Sequence, residues 1–486
     1  MSARFLAIDL GAQSGRAMLG ELQSGRLALS EVRRFLNEPV RDATGLHWDV
    51  LRLWTEIRHA LESAARGKLD GIGLDTWGCD FALLDERRNL LENPYHYRDT
   101  RTDGVQEAVA ARVGRDSLYA RTGTQLLPFN TLFQLYAACQ ATPGVIAQAR
   151  SLLMMPDLFN FWLTGEMRSE YTIASTSQMT CPQERAWETS LLAELGLPTP
   201  LLQRMIEPGT VIGGLRADAS AALAGTPVVA PACHDTGSAF AAVGSSDRQA
   251  VISSGTWSLL GAEVTAPVVT ERARQLNFTN EGGVCGTTRV LKNITGMWLL
   301  QSCTSAWASA GQTLTYEDLL SAAESSGQRF GSLIDPDHSD FFHPPDMPVA
   351  IAQFCRRTGQ PAPEDPGACT RTILESLAFK YRLVLESLED VIGGRCERIR
   401  LVGGGSKNRL LCQLTADATG RPVVAGPVEA TALGNIALQM LATGAVRSLE
   451  DARATIDRSF PGERYEPRDT AQWDRESDRF KELLAS

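Results

Sequence analysis

The chain has 486 residues, which is too long for one hydrophobic core and predicts more than one domain. With 43% hydrophobic and 21% charged residues its composition is globular, and no uncharged apolar run approaches the ~20 residues that span a membrane. The net charge of −10 argues against a nucleic acid or an anionic membrane as partner.

Targeting signals and cysteine usage indicate a reducing compartment. The first residues show no basic segment followed by a long apolar run, so no secretory signal is predicted and the expected location is the cytoplasm. The ten cysteines lack C-x-x-C spacing and fit free or buried thiols. Whether Cys355 and Cys369, which flank a Pro-rich loop, form a disulfide stays open. A monomer is the default expectation.

The first predicted elements are three strands over residues 4–35, with a Gly-rich turn at 11–15. Glycine lets backbone N–H groups approach an anion, and Asp9 at the end of the first strand is placed to hold a cation beside it. The turn is not a Walker A loop, because the chain's one Gly-Lys pair is followed by leucine. An ordinary tight turn without a ligand is the alternative.

An amphipathic helix over residues 50–66, with Asp49 as N-cap, and a buried strand over 70–75 come next. Helix after strands, followed by another strand, predicts an α/β fold rather than segregated helices and strands. The segment Asp75–Asp80 follows at the end of that strand. Its tryptophan and aspartates either grip a polyhydroxylated ligand or serve as core and turn residues, and the sequence favours neither.

The remaining predicted elements continue this alternation. They are helices over 104–120, 129–140 and 156–164, a strand over 226–231 leading into a helix that ends at Gly244, a strand over 290–293, helices over 294–303 and 370–392, a strand over 399–402, a helix over 409–419, a strand over 422–425 and a helix over 431–442. The last stretch, 446–486, is charged and carries no recognisable motif.

An acidic loop lies between the helices predicted over 294–303 and 370–392. It contains Asp335, Asp337, His338, Asp340, His343 and Asp346. Its spacing does not fit an EF-hand, which needs Gly at the sixth position and Glu at the twelfth, so a solvated loop is the preferred interpretation.

Three segments beyond the first hairpin carry candidate chemistry. Residues 251–258 repeat the pattern of strand, glycine turn and strand about half a chain length after the first hairpin. A glycine run at 403–405 precedes a helix, which is a common place for a nucleotide. Asp235 follows the strand over 226–231, where open α/β sheets bind ligands.

The two hairpins and the glycine run resemble the nucleotide-binding elements of the actin-like ATPase superfamily, and His234-Asp235-Thr236 is similar to the FGGY family of carbohydrate kinases. Within that family the chain resembles the L-rhamnulose-specific branch over nearly its whole length. The resemblance rests on the segments 9–16, 75–81, 97–102, 127–132, 253–258, 279–283 and 291–301, in this order.

The resemblance implies roles for individual residues. Asp235 is the implied general base. The implied ATP contacts are Ala12, Gln13, Ser14, Gly15, Arg16, Thr256, Gln301 and Gly404, and the implied sugar contacts are Gly78, His234, Asp235, Thr236 and Asn293. Gln13 stands where the family more often has a small residue.

The implied fold is α/β, with two actin-like ATPase (ribonuclease H-like) domains flanking an interdomain cleft. Residues 1–243 would form the sugar-binding domain and 244–486 the ATP-binding domain. The implied reaction is ATP-dependent phosphorylation of L-rhamnulose at its 1-hydroxyl in L-rhamnose catabolism, with Mg²⁺ held by Asp9. The alternatives are a kinase of the same family for L-fuculose or xylulose, or an actin-fold ATPase that is no kinase.

Overall fold

The structure is a computed structural model that describes residues 2–244, 248–327, 329–342 and 344–485. His343 of the acidic loop therefore lies outside the described residues. None of the helices within these ranges combines the length and apolar character needed to cross a membrane.

Strands and helices alternate through the first half of the chain. They are β1 (Ser2–Leu10), β2 (Ser14–Gln23), β3 (Arg26–Leu36), β4 (Pro39–Arg41), β5 (Leu46–Trp48), α1 (Val50–Ala64), β6 (Gly71–Thr76), β7 (Phe81–Leu84), α2 (Val105–Val113), α3 (Arg115–Thr122), α4 (Thr131–Ala141), α5 (Pro143–Gln148), β8 (Ser151–Met154), α6 (Met155–Thr164), β9 (Ser169–Glu170), α7 (Tyr171–Ala174), β10 (Thr180–Cys181), β11 (Ala186–Trp187), α8 (Thr189–Leu195), β12 (Met205–Ile206), β13 (Thr210–Gly214), β14 (Pro227–Ala230) and α9 (Asp235–Val243).

The second half continues in the same manner. Its elements are β15 (Gln249–Ser254), β16 (Trp257–Val264), α10 (Glu271–Gln275), β17 (Thr279–Gly282), β18 (Thr288–Thr295), α11 (Trp298–Ser309), α12 (Tyr316–Ser325), α13 (Met347–Arg357), α14 (Pro366–Ile392), β19 (Arg398–Val402), α15 (Arg409–Thr419), β20 (Val423–Ala425), α16 (Ala430–Ala442), α17 (Leu449–Ser459), β21 (Glu463–Tyr465) and α18 (Thr470–Ala485).

The chain forms two compact units, each built from several segments. Unit 1 consists of Met1–Gly244, Glu263–Val290 and Ala430–Phe460, and unit 2 of Ser245–Ala262, Leu291–Glu429 and Pro461–Ser486. Each unit contains an open sheet with parallel strands at its centre.

The sheet of unit 1 has six strands in the order β13-β14-β6-β1-β2-β3, and β14, β6 and β1 run parallel. Because side chains alternate along a strand, Ile72 and Leu74 face the core that contains α1 and α6. Gly71 and Gly73 face the other way, where Gln439 and Asn435 of α16 fill the space that a Cβ atom would take. Because side chains alternate between the two faces of a strand, Asp75 lies on the same face as Gly71 and Gly73, which is the face covered by α16.

In unit 2, neighbouring strands follow in the order β18-β16-β15-β19-β20-β21. The hairpin of β15 and β16 is antiparallel, while β15, β19 and β20 are parallel. Unit 1 has the same pattern, because the antiparallel hairpin of β1 and β2 adjoins the parallel strands β6 and β14. The duplicated hairpin predicted from sequence is therefore confirmed.

Most predicted elements are confirmed. The three-strand meander is β1 to β3, and Asp49 caps α1 by accepting a hydrogen bond from the backbone N–H of Arg52. The long helix predicted over 370–392 begins slightly earlier, at Pro366, where Asp365 accepts from the backbone N–H of Ala368. Proline is favoured in the first helical turn because the backbone N–H group that it lacks would have no partner inside the helix at that position.

Two predicted elements differ from the structure, and one segment for which no element was predicted forms regular structure. The single helix expected over 104–120 is divided into α2 and α3 at Gly114, whose φ is +81°, a value that ends helices. β18 continues to Thr295, so α11 begins only at Trp298. The charged segment 446–486 forms α17, β21 and α18, although it carried no sequence motif.

The acidic loop is less solvated than predicted. Lys380 Nζ lies 2.8 Å from Oδ1 of Asp335 and 3.0 Å from Oδ2 of Asp337, and the other oxygen of Asp337 accepts from the backbone N–H of Thr295. The first part of the loop is thus held to α14 by ion pairs with Lys380 and to β18 by a hydrogen bond from the backbone N–H of Thr295. All ten cysteines, Cys355 and Cys369 included, are free thiols.

Candidate active site

Three aspartates of unit 1 lie at the carboxyl ends of adjacent parallel strands. Asp9 of β1 and Asp75 of β6 are direct register partners and point to the α16 face. Asp235 begins α9, shortly after β14, and the preceding His234 bridges to Thr76 at the end of β6. Ligands of open α/β sheets bind at this edge. The strand order therefore gathers carboxylates that are far apart in sequence.

The first glycine turn exposes backbone donors. Asn37 closes the turn, since its backbone N–H donates to the carbonyl of Gln13 and its side-chain amide donates to the carbonyl of Gly11. Among the described residues, the backbone N–H groups of Ala12 and Gln13 have no acceptor. Such unpaired, neighbouring N–H groups form an anion-binding cradle. Ser14 and Gly15 begin β2 and continue the turn.

Arg16 and Asp9 form an ion pair across the hairpin. They are register partners, and Nε and Nη2 of Arg16 donate to Oδ2 of Asp9 at 2.9 and 2.7 Å. Asp9 is only 4% exposed. Asp9, the predicted metal ligand, is thus hydrogen-bonded to Arg16, one of the predicted phosphate contacts.

Asp75 is fully buried beneath this pair. Its Oδ2 accepts from Nδ2 of Asn435 at 2.6 Å, whereas its Oδ1 has no hydrogen-bond partner among the described residues. Burial, reinforced by the negative charge of Asp9, raises the pKa of Asp75 well above its ordinary value. Gln439 extends this buried polar group by donating to Oδ1 of Asn435 and to the carbonyl of Leu6.

Asp235 is a partly exposed carboxylate that uses one of its two oxygens in local hydrogen bonds. Its Oδ1 accepts from the backbone N–H and the hydroxyl of Thr236 and lies 3.4 Å from Nε2 of His234. Within the described part of the chain, no hydrogen bond reaches Oδ2, and 30% of the side chain is exposed. Desolvation raises the pKa of Asp235, an effect that His234 opposes and Asp9 reinforces. A carboxylate with a free oxygen and a raised pKa suits a general base.

The segment after β6 is a core feature rather than an open sugar surface. Asp80 is 1% exposed and accepts from the indole N–H groups of Trp48 and Trp77 and from the side-chain amide of Gln134. Burial raises the pKa of Asp80 to about 6. The core reading of this segment is therefore correct for Trp77 and Asp80. Gly78 lies beside them, and a Cβ there would come within 3.2 Å of Thr176.

The predicted ATP contacts of unit 2 collect around the second hairpin. The Thr256 hydroxyl donates to Oε1 of Gln301 at 3.4 Å, and the backbone carbonyl of Thr256 accepts from the backbone N–H groups of Gly296 and Trp298 at the start of α11. The glycine run packs on the same hairpin, because a Cβ on Gly405 would lie 2.1 Å from Oγ of Ser254. Asn293 lies on β18 in this unit.

The chain matches known protein families along nearly its whole length. Residues 4–244 match the model of the N-terminal domain of the FGGY family of carbohydrate kinases, and residues 250–443 match the model of its C-terminal domain. A protein of Bacteroides thetaiotaomicron named rhamnulokinase is 46% identical over 489 residues, covering 100% of both chains. A rhamnulokinase of Pectobacterium carotovorum is 43% identical, covering 95% of this chain and 93% of the relative. The protein belongs to the FGGY family of carbohydrate kinases.

Solved structures agree with the FGGY assignment at the level of fold. The crystal structure of gluconate kinase from Lactobacillus acidophilus superposes with a TM-score of 0.79 at 15% identity, covering 100% of this chain and 96% of that one. The predicted α/β fold of this family is thereby confirmed.

Use of ATP by an FGGY kinase implies a divalent metal ion. Among the described residues, no group of three or more His, Cys, Asp or Glu side chains is arranged to hold a metal. A divalent ion in a site for nucleoside triphosphates can be held mainly by substrate phosphates and water, with one or two protein carboxylates. Asp9, next to the unpaired N–H groups of the first turn, can supply such a carboxylate, and Oδ1 of Asp75 is a second oxygen without a donor.

Sequence reasoning missed the residues of unit 1 that hydrogen-bond to the backbone at the start of the His234-Asp235 segment. The buried Glu170 accepts from the backbone N–H of Cys233, and the hydroxyl of Thr172 accepts from that of His234. Burial raises the pKa of Glu170 to about 7. Glu170 also caps α7 through the N–H groups of Thr172 and Ile173, and no motif in the sequence signals that double use.

Proposed function

We propose that the protein transfers the γ-phosphate of ATP to the 1-hydroxyl of L-rhamnulose, giving L-rhamnulose 1-phosphate and ADP, in L-rhamnose catabolism. The 46% identity with a full-length rhamnulokinase supports the choice of sugar. The observation that carries the chemistry is Asp235, whose Oδ2 is unbonded among the described residues and whose raised pKa suits proton abstraction.

In this reaction the sugar hydroxyl attacks the γ-phosphorus, the bond to the bridging oxygen of ADP breaks, and Oδ2 of Asp235 takes the hydroxyl proton. His234, Thr236, Gly78 and Asn293 orient the sugar. Thr236 also keeps Oδ1 of Asp235 occupied, which directs Oδ2 toward the substrate. Orientation of the reacting atoms supplies much of the rate in phosphoryl transfer.

Nucleotide contacts are proposed within each unit by itself. The N–H groups of the first turn, residues 12–16, would bind phosphate oxygens, and Thr256, Gln301 and Gly404 would bind further parts of ATP. When bound, Mg²⁺ near Asp9 neutralises phosphate charge. Residues 1–243 are proposed as the sugar-binding domain and 244–486 as the ATP-binding domain. We also propose that the protein is cytoplasmic and that it is a monomer. Light scattering during gel filtration would test the monomeric state.

A panel of sugars tests the proposal most directly. Purified protein is incubated with Mg·ATP and L-rhamnulose, L-fuculose, xylulose or no sugar, and ADP release is followed by a coupled assay. The proposal expects kcat/KM to be highest for L-rhamnulose and the product to be phosphorylated at the 1-hydroxyl, as seen by ³¹P and ¹³C NMR. A higher kcat/KM for another ketose would reassign the sugar, and ADP release that no sugar stimulates would remove the kinase assignment.

A further inference from the structure

His234 lies between the proposed base and a buried ion pair that the sequence did not reveal. The ring is 7% exposed. Its Nε2 lies 3.4 Å from Oδ1 of Asp235, and its Nδ1 lies 3.1 Å from Oε2 of Glu281 on β17. The same Oε2 lies 3.1 Å from Nη2 of Arg289 on β18. The imidazole is therefore held on both sides by charged groups.

Arg289 is itself fixed in position by unit 1. Its side chain is 1% exposed, and its Nε donates to the carbonyl of Gly282 at 2.8 Å. The guanidinium lies under the first turn of α9, since a Cβ on Gly237 would be 3.4 Å from Cζ and from Nη2 of Arg289. Gly237 thus leaves the room that Arg289 occupies behind the His234-Asp235 segment.

The charges around the ring define which nitrogen carries its proton. Burial tends to raise the pKa of Glu281, but His234 and Arg289 outweigh it, and the net pKa is lowered. Glu281 is therefore an ionised carboxylate, and its Oε2 holds the guanidinium of Arg289 beside the ring. Nη2 of Arg289 donates to Nδ1 of His234 at 3.3 Å, so Nδ1 accepts and the ring proton lies on Nε2. Asp235, Glu281 and Arg289 are the charged groups that face the ring.

We propose that Glu281 and Arg289 are positioning residues that set the orientation and tautomer of His234. Given the proposed kinase function, this presents the Nε2–H group as a donor to a sugar hydroxyl beside Oδ1 of Asp235. Neither Glu281 nor Arg289 touches the reacting atoms. Their loss is therefore expected to affect the use of the sugar while leaving the use of ATP largely unchanged.

The main test compares Glu281→Gln with a matched variant, Glu375→Gln. Glu375 forms an equally buried pair with Arg371 in unit 2, where Nε of Arg371 lies 2.6 Å from Oε1 of Glu375. Because small misplacements of reacting groups cost up to about 100-fold, Glu281→Gln should lower kcat/KM for the sugar by about 10- to 100-fold. The KM for ATP should change by less than about 3-fold. Glu375→Gln should lack this selective loss.

A spectroscopic measurement gives an answer that does not depend on turnover. In protein labelled with ¹⁵N-histidine, the ring-nitrogen shifts of His234, assigned with His234→Gln, should indicate a proton on Nε2 in wild type. Glu281→Gln should weaken that signature and Glu375→Gln should preserve it. Arg289→Lys, which keeps the charge but loses the planar fork that meets both Glu281 and Nδ1 of His234, should change the shifts in the same direction and stands in if Glu281→Gln fails to fold.

The outcomes separate this inference from the proposed function. Wild-type protein that phosphorylates no sugar overturns the kinase assignment, while the ¹⁵N shifts still report on Glu281. Unaltered shifts in both Glu281→Gln and Arg289→Lys overturn the positioning role, even in an active kinase. A loss of sugar kcat/KM equal in Glu281→Gln and Glu375→Gln also overturns it, because general destabilisation would then explain both.

Discussion

Arg16 donates two hydrogen bonds to a single oxygen of Asp9, and the two residues are register partners on the first hairpin. The pair neutralises a nearly buried carboxylate beside the turn whose N–H groups are free to bind phosphate. An incoming phosphate or cation therefore competes for one member of the pair. This couples the proposed anion cradle to the proposed metal ligand.

Asp9→Asn is expected to weaken the use of Mg·ATP and spare the sugar. The amide oxygen can still accept from Arg16, but the negative charge for a cation is lost. Because hydrogen bonds and ion contacts to charged groups contribute about 1.5–3 kcal/mol, KM for Mg·ATP should rise by about 10- to 100-fold. The measurement is initial rate against Mg²⁺ at fixed ATP. Glu31→Gln, an exposed change on β3, is the control, and an equal rise in the sugar KM would contradict the assignment.

Asp235→Asn is expected to remove turnover and preserve nucleotide binding. Asn keeps an oxygen for the N–H and hydroxyl of Thr236 but cannot accept the proton of the sugar hydroxyl. General bases contribute about 10²- to 10⁴-fold, so kcat should fall by that factor. Calorimetric titration with a non-hydrolysable ATP analogue should give a Kd within about 3-fold of wild type. A kcat near the wild-type value would exclude Asp235 as the base.

The sequence predicted what depends on neighbouring residues. Asp9 follows an apolar run and precedes a glycine turn, so its place at a strand end could be read directly. The contacts that complete the site are long-range, such as Asn435 to Asp75 across 360 positions. Such a pair depends on strand order and on the space left by Gly73, which local patterns do not encode. The same holds for Glu281 and Arg289, since an isolated Glu or Arg in sequence is usually a surface residue.

Stability should reveal the buried charge of Asp80. Its pKa is about 6 in the folded protein against 3.8 for an ordinary aspartate, so the folded state retains a proton that the unfolded chain has released. Wild-type stability should therefore fall as pH rises from about 4 to about 6, by on the order of 3 kcal/mol from this group at 1.36 kcal/mol per pKa unit. Above pH 6 the cost is complete.

In Asp80→Asn this component of the pH dependence should disappear. The variant should also lose about 1–3 kcal/mol throughout, because its amide N–H would face the donating amide of Gln134. Urea unfolding followed by tryptophan fluorescence, which includes Trp48 and Trp77, gives the midpoints between pH 4 and 7. The difference in the free energy of unfolding between wild type and Asp80→Asn should narrow as pH rises. Asp85→Asn is a control of opposite sign, since hydrogen bonds from Asn89 lower the pKa of Asp85.

Gly405→Ala is expected to weaken ATP binding through the second hairpin. The added methyl would lie 2.1 Å from Oγ and 2.6 Å from Cβ of Ser254, closer than atoms can approach, so the glycine run must move away from β15. Because Thr256 and Gln301 meet at the same hairpin, KM for ATP should rise by about 10-fold or more while the sugar KM changes little.

A second change should restore part of that loss. Ser254→Gly removes the two nearest atoms that the new methyl meets and leaves only the backbone carbonyl oxygen at 3.3 Å, so the double variant with Gly405→Ala should bind ATP more tightly than Gly405→Ala alone. Gly394→Ala is the matched control, because no atom lies within 4 Å of a Cβ at that position. The readouts are KM for ATP and the Kd of a fluorescent ATP analogue. If Gly405→Ala behaved like Gly394→Ala, the glycine run would have no part in holding the nucleotide.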